Sequence, residues 1–92
     1  ISGFVSDRMG VMMRNLAQKH QIICITHAPQ IAAKGDHHYF VYKEEKANRT
    51  ETNVKLLGPE ERITELAIML STNPPTTSAL ANARELLANH TN

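Results

Sequence analysis

The feature that most constrains this chain is a short apolar run, QIICIT, at positions 21–26. Ile22, Ile23, Cys24 and Ile25 are consecutive and apolar, and three of them are β-branched. Alternation would signal a strand with one wet face. An unbroken run of this length reads instead as a strand buried on both faces, the kind found inside a parallel sheet. Such a strand demands neighbours on both edges and covering layers on both faces. Cys24 within it reads as a small buried hydrophobe rather than a reactive thiol. It is the one cysteine of the chain, so no internal disulfide can form, which fits a reducing cytoplasm.

The rest of the chain supplies a partial set of such layers. Val5, Met9, Met12, Met13 and Leu16 fall at helical spacing, with Ser2 or Ser6 available as a cap. The three methionines suit core or interface filling, or a pliable recognition surface. After the apolar run, Pro29 suits a first helical turn and Gly35 a stop, predicting a short helix over residues 29–34. Residues 38–43, with Tyr39, Phe40 and Tyr42, read as a strand. Residues 49–57 alternate, placing Thr50, Thr52, Val54 and Leu56 on one side and Glu51, Asn53 and Lys55 on the wet side. The intervening EEKAN is a solvated hairpin loop. Gly58-Pro59 ends the strand and opens a helix with Glu60 and Glu61 in its first turn, where the dipole favours acids. Its face is Ile63, Leu66, Ala67 and Leu70. Asn73-Pro74-Pro75 breaks the chain, and Thr76 or Ser78 caps a last helix carrying Leu80, Ala83 and Leu87. The expected class is α/β, in the order α-β-α-β-β-α-α, as one unit over residues 1–92.

Ninety-two residues suit one domain or a piece of one. A hydrophobic content of 41% with 21% charged residues excludes a disordered tail. A formal charge of +1 offers no basic stripe for neutralising nucleic-acid phosphates. No apolar run approaches the roughly 18 residues of a membrane span, and no basic-then-apolar signal opens the chain. It opens Ile1-Ser2-Gly3 rather than with Met, and the expectation is a piece of a longer polypeptide whose chemistry is shared with other residues. No phosphate loop, dinucleotide fingerprint, nucleophile elbow or Cys-x-x-Cys pair occurs.

Three histidines stand out. His27 lies just past the apolar run, where α/β proteins present groups to ligands, and it precedes a proline-started helix. From there it could face a phosphate or an attacking water; the alternative is a partly buried histidine bonded to a carbonyl. His37 and His38, beside Asp36, raise a metal reading, but neighbours on a strand point to opposite faces and cannot easily share an ion. His27 and Cys24 have no recognised zinc spacing. The expected metal set is none.

The combination of IICITHAPQIAAKGDHHYFVYK with ISG, RTETNVKLL, PEERITELAIML and LANARELLA resembles the end of the RecN family of DNA-repair ATPases, SMC-like proteins with an ABC-type nucleotide-binding head. The likeness runs along essentially the whole chain; family members more usually carry leucine where Ala28 stands. It implies the C-terminal lobe of a P-loop NTPase head, with the phosphate loop and acidic motor residues elsewhere in a longer protein. His27 then corresponds to the switch, or H-loop, histidine, and Ile1, Ser2 and Gly3 to the tail of the D-loop. ATP and Mg2+ would be bound by the full-length protein, and this chain alone would be inactive. Implied partners are the remainder of the same chain, a second head in a homodimer, and DNA through the full-length protein, with no membrane; the implied location is the cytoplasm, at the nucleoid. Beside this stand two other readings: a non-enzymatic α/β interaction module docking through its Met-bearing helix and strand edge, and a small metal-dependent hydrolase using His27, His37 and His38. Unpaired edges at residues 22–25 also predict self-association of the isolated chain, most simply as a two-fold dimer.

Overall fold

A computed structural model describes residues 3–89. Four helices and one hairpin follow in the order α1 (Gly3–Leu16), α2 (Pro29–Ala32), β1 (Tyr39–Lys46), β2 (Arg49–Leu56), α3 (Pro59–Leu70) and α4 (Thr77–Ala88). The mixture of helix and strand agrees with the expected class. The expected order is not reproduced, because residues 21–28 form no strand.

The difference has a plain cause. A ladder needs a second backbone, and β1 and β2 pair only with each other. With no neighbour within reach, the apolar run is left in the open: Ile23 is 85% and Ile25 99% exposed. Cys24 is exposed too, not buried as its neighbours suggested.

The hairpin pairs Tyr39 with Leu56 through to Lys46 with Arg49, leaving a two-residue turn at Ala47-Asn48. The first strand therefore runs further into the charged stretch than the sequence suggested, to Lys46 rather than Lys43, while the second begins at Arg49 as expected. Ala47 adopts φ of 48°, the left-handed region that few side chains tolerate well. Phe40 and Tyr42 stack on one face with ring centroids 5.9 Å apart. That face, with Lys55, looks toward Glu61, Thr64 and Glu65 of α3. The opposite face carries Tyr39, Val41, Val54 and Leu56, all exposed. The alternation was right and the wet side was reversed.

The same reversal occurs in α1. Its buried positions are Ser6 and Gly10, one helical turn apart, whereas Val5, Met12 and Leu16 are exposed. A Cβ on Gly10 would lie 2.8 Å from Lys34 Cγ and 3.4 Å from the Gln30 carbonyl oxygen, so the glycine permits the close approach of α1 to α2. Ser6 lies inside the helix and does not cap it; Ser2 lies outside the described residues.

The core is small and alanine-rich. Leu66 and Ala67 of α3 meet Ala79 and Ala83 of α4, with Ala33 from the end of α2 completing the cluster. Small side chains let the two helices come together closely. Thr76 caps α4, its Oγ1 accepting from the Ala79 N–H at 3.1 Å. At the start of α3 the Glu61 carboxylate accepts from the Gly58 N–H at 3.1 Å, and Lys55 pairs with its other oxygen. The radius of gyration is 14.2 Å, above the about 12 Å of a close-packed chain of this length.

Candidate functional site around His27

His27 stands at the end of the open apolar segment, exposed, and immediately before α2. Its backbone is bracketed on both sides. The Ala28 N–H donates to Thr26 Oγ1 at 2.9 Å, a local turn that closes around His27. Ala28 then takes extended angles (φ −91°, ψ 116°) and Pro29 starts the helix, as suits the residue ahead of a proline. The imidazole is thus presented outward from a short, conformationally defined loop.

Of the other residues expected at the site, Ile1 and Ser2 lie outside the described residues. Gly3 opens α1, and a Cβ there would lie 3.4 Å from Gln30 Nε2. The start of α1 and the helix that follows His27 are therefore neighbours. His37 and His38 belong to the turn between α2 and β1, and among the described residues no group of three or more His, Cys, Asp or Glu could hold a metal ion. His38 is half-buried, with a buried Nδ1 that has no hydrogen-bond partner. Burial and, second, the nearby Arg62 charge hold its pKa below the ordinary histidine value.

The residues that the sequence did not single out are those that anchor α2. Arg62 of α3 inserts its guanidinium beneath the end of that helix. Its Nη2 donates to the carbonyls of Gly35 (2.6 Å) and Ala32 (3.0 Å), with Ala33 O at 3.5 Å. Burial, opposed by the Asp36 charge, pulls the Arg62 pKa below its ordinary value, although an arginine stays protonated. From α1, Arg14 reaches the Lys34 carbonyl at 3.4 Å and pairs with Asp36. Lys34 in turn bridges to Asp7 of α1 at 3.9 Å and to the Asn89 carbonyl after α4 at 3.3 Å. The shortest helix is the junction to which α1, α3 and α4 are all tied. One signal was available: Arg62 lies four residues before Leu66, at the edge of the apolar stripe of α3, where a long side chain can bury its stem.

Gly35 does not stop α2 in the way expected. The helix ends at Ala32 with Ala33 as its cap, and none of the described glycines has a positive φ. A cleft of about 340 Å³ lies beside this junction, lined among others by His37, His38, Leu57, Arg62 and Ile63. No helix of the described residues is long and apolar enough to cross a membrane.

No family model matches the chain. Individual proteins do. It is 46% identical over 87 residues to the DNA repair protein RecN of Vibrio cholerae, a match covering 95% of this chain. It is 42% identical over 88 residues to RecN of Deinococcus radiodurans, and 40% over 87 residues to RecN of Haemophilus influenzae. The chain spans only about 16% of the length of these curated relatives. Across nearly its whole length, then, the chain is similar to one segment, about a sixth, of the DNA repair proteins of the RecN family.

Proposed function

We propose that this chain is the C-terminal part of a RecN-type ATPase head acting in repair and recombination at DNA double-strand breaks. In this reading His27 is the switch histidine of a composite ATP site, and the segment from Ile1 to Gly3 is the tail of the D-loop. The observation that carries it is the presentation of His27: an exposed imidazole on a loop closed by Thr26 Oγ1 and the start of α2. The neighbouring of Gly3 and Gln30 adds support, because it brings the start of α1 toward the same helix.

Hydrolysis of a nucleoside triphosphate depends on positioning and on electrostatic stabilisation of the transferring phosphoryl group. A histidine held at a fixed distance from the γ-phosphate contributes a hydrogen bond there and orients the attacking water. In this reading the ligands of the ATP-bound Mg2+ lie in the rest of the longer protein, since such an ion is held mainly by phosphates, water and one or two side chains near the phosphate loop. That remainder also accounts for the exposed apolar surface. Ile22, Ile23 and Ile25, the outer face of α1 and the face bearing Val41 and Val54 are where it would seat. A second head and DNA engage the full-length protein, in the cytoplasm at the nucleoid.

The test is ATP hydrolysis by the full-length protein carrying His27→Ala. Turnover should fall sharply while the melting temperature stays near that of the unsubstituted protein, because an exposed side chain is removed. The 92-residue chain by itself should release no phosphate from ATP. Unchanged turnover in the variant, or robust turnover by the isolated chain, overturns the reading.

A further inference from the structure

Three backbone carbonyls at the end of α2 converge on one guanidinium, and nothing in the RecN likeness explains that arrangement. Arg62 Nη2 lies 2.6 Å from Gly35 O, 3.0 Å from Ala32 O and 3.5 Å from Ala33 O. Ala32 O and Ala33 O lie at the helix end, where carbonyls run short of intrahelical donors. Ala32 O also accepts from the Gly35 N–H at 3.4 Å, and Gly35 O lies in the turn beyond, so the arginine ties the end of α2 to the turn that follows it. The other end of α2 is a single residue away from His27. Between the two lie four helical residues (Pro29–Ala32) stiffened by proline at the start. A displacement of the arginine-bound end is therefore transmitted to His27 with little to absorb it.

We propose that Arg62 is a positioning residue for His27: through α2 it sets the height and orientation at which the loop from Thr26 to Ala28 presents the imidazole. This rests on the assignment of His27 to an ATP site. Arg62 touches no nucleotide itself. All three contacts are made by one nitrogen, Nη2, and the planar guanidinium fixes where that nitrogen stands, whereas a lysine's flexible ammonium places its nitrogen less rigidly. Arg14, bonded to Lys34 O and paired with Asp36, steadies the same turn from the side of α1. Thr26 fixes the near side of the loop.

A misplacement of about 1 Å at a reacting centre can lower the rate on the order of a hundredfold. In the full-length protein, Arg62→Lys should lower kcat for ATP hydrolysis about tenfold and Arg62→Ala on the order of a hundredfold. The KM for ATP should be unchanged in both, since nucleotide binding draws on other residues. The decisive measurement is a double-mutant cycle under single-turnover conditions. If Arg62 acts through His27, adding Arg62→Lys to His27→Ala should produce no further loss. Arg62→Lys retains the charge and the stem, so it decides the matter should Arg62→Ala fail to fold. Wild-type kcat in the lysine variant overturns the inference, as does a full further loss in the His27→Ala background. The two readings fail distinguishably. Loss of turnover in His27→Ala with wild-type turnover in Arg62→Lys removes only this inference. Wild-type turnover in His27→Ala removes the ATP-site assignment, and with it the role given to Arg62.

Discussion

His38 sits against Arg62 with its Nδ1 buried and unpartnered, and its pKa is lowered first by burial and then by the arginine charge. The folded chain therefore takes up a proton at this ring less readily than the unfolded chain. Above the ordinary histidine value the ring is neutral in both states and makes no difference. As pH falls below about 6.5, the unfolded state gains protons first and stability declines. His38→Gln should flatten the melting-temperature profile between pH 7 and 5; an unchanged slope would assign the acid sensitivity to other groups. Glu61 works in the opposite sense. Its hydrogen bond to Lys55, then that from the Gly58 N–H, hold its pKa below the usual carboxylate range. The stabilisation it contributes is present above a glutamate's ordinary value of about 4.3 and is lost as pH falls through the folded value. Removing single core or cap groups should cost more at fixed pH. Leu66 is wholly buried, so Leu66→Ala should destabilise by about 2–4 kcal/mol in denaturant unfolding. Thr76→Ala deprives the Ala79 N–H of its acceptor and should cost about 1 kcal/mol.

At the scale of elements, the contact between α1 and α2 depends on Gly10. A valine there would place branched carbons against the Gln30 carbonyl oxygen and Lys34 Cγ, forcing the helices apart. Gly10→Val should cost about 1–3 kcal/mol, read as a lowered denaturation midpoint, despite its better fit to a helix than glycine. The hairpin offers the reverse case. Ala47 holds a left-handed φ of 48°, and Ala47→Asn should raise stability by about 0.5 kcal/mol, since asparagine tolerates that region better. Helices α1, α3 and α4 and the hairpin were legible because their signals are local: periodic apolar spacing, Pro59 with its acids, Thr76, and the alternation through Val54 and Leu56. The strand expected at residues 21–26 was not realised because a strand is a pairing, and the partner must come from elsewhere in a chain. Which face of α1 or of the hairpin is dry was equally non-local. Hydrophobicity marks the side that wants cover, and only the neighbours decide which side receives it. His27 was legible from its place after an apolar run. Arg62 was not, because its partners are backbone carbonyls nearly thirty residues away, and a carbonyl leaves no mark in a sequence.

At the scale of the whole molecule, three apolar surfaces are turned outward together: residues 22–25, the α1 face bearing Val5, Met12 and Leu16, and the hairpin face bearing Tyr39, Val41, Val54 and Leu56. Exposed apolar patches mark interaction surfaces, and the relatives are about six times longer than this chain. The isolated chain has only itself. It should self-associate at concentrations where the hairpin faces can meet, and replacing the directly paired valines of that face, Val41→Lys with Val54→Lys, should shift light scattering toward the monomer. Because Val41 and Val54 are 62% and 63% exposed, the melting temperature of the monomer should hardly change. In the full-length protein the same two lysines would be pressed into an apolar contact, and burying unpaired charge there carries a large penalty. The pair of substitutions should therefore improve the behaviour of the short chain and impair that of the long one. Equal tolerance in both would mean that the hairpin face stays open in the complete protein, and that the cover for this lobe is confined to α1 and residues 22–25.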